Sequence, residues 1–361
     1  MRIAFYAPLK SPDHPVPSGD RTMGSLLMRA IEMSGNEIEI ISHFRSFHRQ
    51  QNDFLSLIKD AKIEKKTIIE KFKNGFLPDA WFSYHVYYKS PDLIGPSICR
   101  YLNIPYITAE SSYAASRDRS GWDAEQRRVK IAIRMAQLNI HFTQRDLAGL
   151  RSVAPEAHYA ALPPFIDAGI YWRTPAFNPT RLVTTAMMRK GDKLASYRML
   201  ADALSQINNR DWTLSIIGDG PERPGIEALF SHFPEKRIDW LGQKNKEEIA
   251  EILSEGGLYV WPGNGEAYGM AYLEAQAAGL PVIAQRTAGV PEVVINGRTG
   301  LLTPEGNTIA YADAIKYLLD NPGEASRLGR AARCFVHSER SLEETAKRMH
   351  GFLSTLKRPP R

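Results

Sequence analysis

The densest chemistry in the chain lies between Leu258 and Ala284, LYVWPGNGEAYGMAYLEAQAAGLPVIA. An apolar strand ending at Trp261 runs into a loop with Gly263, Gly265 and Gly269. A helix then begins near Tyr268–Met270 and carries Ala271, Glu274, Ala275 and Ala278 until Gly279 and Pro281 stop it. Glycines let a backbone approach a ligand closely, and the first N–H groups of a helix have no partner within it. Together they make an anion site, worth about 0.3–1 kcal/mol per charge at an exposed helix start. Glu266 in the loop and Glu274 in the helix stand eight positions apart. Two carboxylates beside an anion site oppose it unless they accept hydrogen bonds from hydroxyls, which a sugar and a ribose supply. The plainer reading makes Glu266 a partner of the helix dipole and leaves Glu274 on an exposed face.

The elements that must carry this loop alternate from end to end. Strand patterns fall at 2–7, 37–42, 80–83, 105–109, 138–142 and 158–162, and again at 181–186, 213–217, 238–241, 258–261 and 281–284. Helical spacing fills the gaps, as at 193–206 and 246–254. Such alternation implies right-handed crossovers and mostly parallel sheets covered on both faces. Two series of strands predict two doubly wound α/β domains. The join is expected between Leu162 and Pro179, where four prolines and little periodicity mark a linker. The division is therefore 1–165 and 166–340, with a final amphipathic helix over 341–361. Ligands of open parallel sheets sit outside the carboxyl ends of the strands, so the loops after strands are where chemistry is expected.

Composition excludes several classes. Of the 361 residues, 43% are hydrophobic and 24% charged, enough apolar content for real cores. No run reaches the ~18 apolar residues of a membrane-spanning helix. The apolar start before Pro8 is too short for a secretory leader and reads as a first strand. Cys99 and Cys334 stand far apart without a CxxC partner, so neither a disulfide framework nor a zinc site is expected, and a reducing cytoplasm is the default. The net charge of +6 permits nucleic acid, anionic lipid or a phosphorylated ligand without selecting one, and it is a thin basis for nucleic-acid binding. Basic residues cluster at 59–73, six lysines against three acids, and at 117–151, eight against four; each is also what a solvated helix face looks like.

The segment from Glu266 to Glu274 resembles the Glu–x7–Glu signature of the retaining glycosyltransferases of family 4, the group 1 glycosyltransferases. The likeness continues through Ala275-Gln-Ala-Ala-Gly-Leu-Pro-Val282 and Ala288-Gly-Val-Pro-Glu-Val-Val-Ile-Asn-Gly-Arg-Thr-Gly-Leu-Leu-Thr303. Upstream, Ile217-Gly-Asp-Gly-Pro-Glu-Arg223 resembles the family's Gly-Asp-Gly-Pro segment, and Pro163-Pro-Phe-Ile-Asp167 its interdomain stretch. The resemblance implies a GT-B fold, two Rossmann-like domains facing each other across a cleft, with a nucleotide-sugar held mainly by the second. It implies that Glu266 contacts donor sugar hydroxyls and Glu274 the ribose. The backbone of Tyr268, Gly269 and Met270 would face the sugar and diphosphate, with Gly265 in the same loop and the base near Gly218.

A diphosphate leaving group needs compensation for its developing charge, and no Asp-x-Asp metal motif occurs in the sequence. The expectation is that no metal or other cofactor takes part and that cations stabilise the leaving group instead. The family places an Arg and a Lys after the first strand of its second domain. Here the region reads Thr184-Thr-Ala-Met-Met-Arg-Lys-Gly-Asp-Lys193, with methionine where Gly-Arg is usual. Arg189 and Lys193 are the candidates, with Lys190 as the alternative lysine.

In the first domain, Ser18 and Gly19 lie in a loop that resembles the family's glycine loop beside the donor phosphates, and they fit a turn and helix cap equally well. His85 follows a strand in an aromatic setting that also suits a structural histidine. Where many members carry a His after the next strand, this chain has Glu110.

The reading is thus an enzyme that transfers a hexose from a nucleoside diphosphate sugar to a hydroxyl acceptor with retention. Envelope polysaccharide or glycolipid assembly is its setting, with peripheral contact to anionic membrane. The alternatives are a nicotinamide-dependent oxidoreductase with two Rossmann domains, although no full Gly-x-Gly-x-x-Gly follows a first strand, and an inactive nucleotide-sugar-binding protein.

Overall fold

Short apolar runs such as Ile3–Tyr6 and Leu258–Val260 are buried along their whole length, which a sheet permits only when helices cover both faces. A computed structural model describes all residues except 17, 51–52, 76 and 357–361. It divides into two units, Met1–Pro163 together with the chain from Leu342 onward, and Pro164–Ser341. The divisions fall at 163/164 and 341/342 rather than at 165/166 and 340/341. The cause is local: Ile166 N–H donates to the Arg340 carbonyl at 3.0 Å and bridges to Ser341, tying both ends of the second unit to each other.

The first unit contains β1 (Arg2–Tyr6), α1 (Gly19–Met33), β2 (Glu37–Ser42), α2 (Phe54–Lys73), β3 (Ala80–Tyr84), α3 (Gly95–Leu102), β4 (Tyr106–Ala109), α4 (Asp123–Met135), β5 (Leu138–His141), α5 (Gln144–Arg151) and β6 (Tyr159–Ala161). The second contains β7 (Arg181–Thr185), α6 (Asp192–Ser205), β8 (Thr213–Ile217), α7 (Arg223–Phe230), β9 (Ile238–Gly242), α8 (Lys246–Ser254), β10 (Leu258–Val260), α9 (Met270–Ala277), β11 (Val282–Gln285), β12 (Gly300–Thr303), α10 (Thr308–Asp320) and α11 (Pro322–Glu339). The last helix, α12 (Leu342–Ser354), belongs to the first unit. It buries Leu342, Ala346, Met349 and Leu353 at helical spacing, and its His350 ring reaches the Ser34 carbonyl just past α1. The basic end of the expected helix, 357–361, lies outside the described residues.

Each unit has one six-stranded sheet, ordered β2-β1-β3-β4-β5-β6 and β12-β11-β10-β7-β8-β9, with every pairing parallel. Strand β12, four residues beginning at a glycine, is one that local pattern does not announce. Both orders reverse direction once. The chain leaves β1 toward β2 and returns on the other side as β3; it leaves β7 toward β8 and returns as β10. At such a switch point neighbouring connections part to opposite faces and leave a crevice at the strands' carboxyl ends. Everything functional below lies at these two points.

One polar cluster holds the first unit's strand ends in place. Asp92, fully buried, accepts from the N–H groups of Ile94 and Gly95 at 2.8 and 2.7 Å, capping α3, and from the hydroxyls of Ser83 and Tyr106. Burial pushes its carboxyl up, and these four donors pull it back.

Candidate functional site

In the second unit the loop after β10 and the loop after β7 meet. Gly263, Gly265 and Gly269 all have φ between +66 and +80°, the left-handed region open to glycine. A side chain at Gly265 would strike the Asp192 carboxylate, and one at Gly269 the Tyr272 ring. The loop is pinned from below by Asn264, whose N–H donates to Ser196 Oγ at 2.9 Å and whose Oδ1 accepts from Gln285 at 2.6 Å. It is pinned again where the Tyr272 hydroxyl donates to the Trp261 carbonyl at 3.1 Å.

On this frame Lys193, in the first turn of α6, forms an ion pair and hydrogen bond with Glu266. Trp261 Nε1 donates to the same carboxylate oxygen at 3.3 Å, and the Lys193 ammonium sits 5.4 Å from the Trp261 ring centre. Both charged groups are largely enclosed, with side chains 28% and 18% exposed. An ammonium at a helix start opposes the helix dipole, and Glu266 supplies the compensation.

The Arg189 guanidinium is exposed and makes no ion pair or hydrogen bond among the described residues, whereas Lys190 points to solvent with Glu222 4.0 Å away. Met188 is buried. Its N–H donates to the Asp219 carbonyl and its carbonyl accepts from Glu222 N–H. Gly218, at φ +140°, packs so closely on the Ala186 carbonyl that no side chain fits. The Gly-Asp-Gly-Pro turn is thereby locked beside the loop after β7.

Helix α9 starts at Gly269 with no side chain capping it, so the amides of Met270 and Ala271 stay uncommitted to any side-chain acceptor. Tyr268, just before it, is buried. Glu274 is half-buried on α9 rather than on an exposed face. Burial raises its pKa against the opposing pull of Lys246 and the Tyr171 hydroxyl.

The first unit builds a second polar cluster at its own switch point. Ser18 caps α1, its Oγ accepting from Arg21 N–H at 3.3 Å, and Gly19 opens the helix. Asp20, one residue on, lies 3.0 Å from His85 Nδ1, an ion-pair contact off the line of an aligned hydrogen bond. His85 and Glu110 each follow a strand directly, β3 and β4, and each adopts a positive φ, +59 and +52°. Such angles are uncommon outside glycine and turn both side chains toward the same place. Asp146, on the first turn of α5 after β5, completes the group, with Thr143 donating to it at 2.6 Å.

Desolvation works against a charged His85, but Asp20, Glu110 and Asp146 outweigh it and bring the imidazolium pKa to about 9. Burial pushes the Glu110 carboxyl up to about 7, opposed by His85 and Tyr84. Oε2 of Glu110 is enclosed without a hydrogen-bond partner among the described residues. Sequence reasoning singled out His85, Glu110, Ser18 and Gly19 and missed Asp146, because Thr143-x-x-Asp146 reads as an ordinary helix start. Its position on the first helical turn after β5, at the carboxyl end of the sheet, was the available signal. No three His, Cys, Asp or Glu side chains among the described residues come together as a metal-holding group, and no described helix is long and apolar enough to cross a membrane.

Comparison with known proteins places this geometry. Residues 179–321 match the family model "Glycosyl transferases group 1". The D-inositol 3-phosphate glycosyltransferase of Corynebacterium diphtheriae is 32% identical over 143 residues, 37% of this chain and 33% of that protein. The N-acetyl-alpha-D-glucosaminyl L-malate synthase of Bacillus anthracis is 35% identical over 130 residues, 36% of this chain and 34% of that protein. The matched regions thus span about a third of these curated relatives. Among solved structures, sucrose-phosphate synthase from Thermosynechococcus elongatus superposes over 98% of both chains with a TM-score of 0.76 at 20% identity. Anabaena HepE in complex with UDP does so over 99% of this chain and 100% of its own, with a TM-score of 0.75 at 14% identity. The fold is therefore GT-B, two Rossmann-like α/β units, and the match to the group 1 glycosyltransferase model falls within the second unit.

Proposed function

We propose that this chain, bearing a group 1 glycosyltransferase domain, is a retaining glycosyltransferase. It moves a sugar from a nucleoside diphosphate donor to a hydroxyl acceptor in the assembly of an envelope polysaccharide or glycolipid. The observation that carries this reading is the meeting of Lys193 and Glu266 under a glycine loop, beside a helix N-terminus that no side chain caps. Amides and cations there suit a diphosphate, and carboxylates suit hydroxyls. In this account Glu274 accepts from the ribose and Glu266 from the donor sugar, while the backbone around Gly269 and Met270 faces the phosphates. Lys193 and Arg189 stabilise the charge that develops on the leaving diphosphate, the task a metal performs elsewhere, so turnover is metal-independent. The acceptor proton passes to the leaving phosphate oxygen on the same face of the sugar, so no protein base is required. His85 and Glu110 hold sugar or acceptor hydroxyls in the first unit. The chain acts in the cytoplasm, with the basic residues of α2 and α4 resting on anionic membrane.

A panel of UDP-, GDP- and ADP-sugars scored by thermal stabilisation tests the donor. A true donor at a hundredfold excess over its dissociation constant adds ~2.7 kcal/mol of stability, and Glu274→Ala reduces that gain. Proton NMR of the anomeric centre reads the stereochemistry. Silence across the whole panel, or activity abolished by chelator and restored by a divalent ion, overturns the reading.

A further inference from the structure

The connection after β1 builds a feature that the donor site does not use. A cavity of about 180 Å³ is lined there by Lys10, Ser11, Asp13, His14, His43 and Arg45, together with Ala7 and Pro15. It is smaller than the ~300–1,000 Å³ that encloses a whole small-molecule ligand, so it suits one functional group.

The charges that line it are not balanced. Asp13 is engaged by the Ser11 hydroxyl and by His43 Nε2 at 2.7 Å, so its negative charge is spent locally. Arg45 is held by its Nε on the Leu9 carbonyl at 2.7 Å and by the Phe47 ring, 4.7 Å from its guanidinium carbon. That orientation leaves its terminal nitrogens without an acceptor among the described residues. Lys10 is half-buried and makes one contact, to the Val16 carbonyl at 3.3 Å. His14 Nδ1 accepts from Val16 N–H at 3.1 Å, so its proton resides on Nε2 as a further donor. Donors thus outnumber acceptors around a space the size of one oxyanion, and a fixed guanidinium fork is the group that recognises phosphate or carboxylate in two-point fashion. The position has meaning as well. Arg21, next to Asp20 on α1, donates its Nε to the Pro12 carbonyl at 3.2 Å, so the loop that lines the cavity also packs on the helix that carries Asp20, and the Lys10 charge bears on Asp20.

We propose that this cavity seats an oxyanion of the acceptor, a phosphate ester or carboxylate, gripped by Lys10 and Arg45 with His14 at its wall. The word acceptor rests on the glycosyltransferase reading; the oxyanion site does not. An acceptor held here presents its hydroxyl beside His85 and Glu110, and an uncharged acceptor of the same shape binds more weakly.

Calorimetric titration of the full chain with glycerol 3-phosphate, glycerol and inorganic phosphate tests the site, alongside co-sedimentation with vesicles of phosphatidylglycerol or phosphatidylcholine. Glycerol 3-phosphate is expected to bind saturably and to be displaced by inorganic phosphate, with no binding of glycerol. The double variant Lys10→Gln/Arg45→Gln is expected to weaken it at least tenfold, and Arg45→Lys alone by less. Loss confined to the soluble phosphate ester identifies a soluble acceptor, and loss confined to phosphatidylglycerol vesicles identifies a lipid headgroup. Equal affinity in wild type and double variant, or no saturable binding in either form, overturns the proposal. UDP-induced stabilisation, which reads the second unit, is measured on the same proteins. If it is absent while phosphate binding stands, the donor reading falls and the cavity does not.

Discussion

Replacing Asp20 by Asn is expected to release His85. The imidazolium pKa of about 9 lies about 2.5 above the ordinary value of 6.5, and one pKa unit is worth ~1.4 kcal/mol, so the folded protein favours the charged ring by about 3 kcal/mol. The Asp20 side chain is 37% exposed, and solvent screens part of this, leaving roughly 1–2 kcal/mol for the Asp20 contact itself. A raised pKa means that the fold binds the proton more tightly than the unfolded chain does. The stabilisation is therefore complete below pH 6.5 and disappears as pH rises through about 9. Glu110 acts with the same sign in a lower window, from 4.5 to about 7, because burial makes its neutral form the favoured one. Asp20→Asn should lower the His85 pKa by about one unit, the screened 1–2 kcal/mol divided by ~1.4 kcal/mol per unit. It should also flatten the stability profile on the alkaline side and, because the Asp20 charge helps hold the Glu110 carboxyl up, move the Glu110 window downward. The His85 ring signals, followed by NMR across the pH range, and urea midpoints at matched pH values measure both effects. A His85 that titrates near 6.5 in the wild type, or one indifferent to Asp20→Asn, would refute the reasoning.

Three further outcomes follow from the geometry. Under the proposed function, in which the Lys193 charge acts on the developing diphosphate, Lys193→Met should lower kcat by about 10²–10³ while changing KM little, and Lys193→Arg should recover part of the loss; steady-state kinetics with an identified donor decides it. Gly218→Ala should destabilise by at least ~1–3 kcal/mol, because the new methyl meets the fixed Ala186 carbonyl at a backbone angle of φ +140°, and chemical denaturation measures the cost. Asp92→Ala leaves buried donors from Ile94, Gly95, Ser83 and Tyr106 without their acceptor and should cost about 3–5 kcal/mol, with the melting temperature as readout.

Much of the architecture is legible without coordinates. Strands β2 and β8 begin and end where their apolar patterning predicts, and so does helix α8, whose Asn245 and Glu248 form a reciprocal cap. The glycine loop from Gly263 to Gly269 reads correctly because glycine is required there by local backbone angles. Where pattern was weak the reading thinned: β12 is four residues opening at Gly300, whose backbone lies against Val282 of β11, a contact between strands that local patterning does not show.

Residue types and their short-range spacing determined the strands, the helices, the loop that approaches a ligand and the candidate acids and cations. Those properties depend on torsions and side-chain periodicity within a few residues. Only the tertiary structure decided that Lys193 meets Glu266, 73 positions away, that His85 gathers Asp20, Glu110 and Asp146, and that Lys10 and Arg45 share one small cavity. Each meeting is made by strand order, which brings loops to one end of a parallel sheet: those after β7 and β10 for Lys193 and Glu266, those after β1, β3, β4 and β5 for the His85 group, and those after β1 and β2 for the cavity. Nothing in the local sequence encodes that adjacency, because it is a property of how crossovers pack around a core.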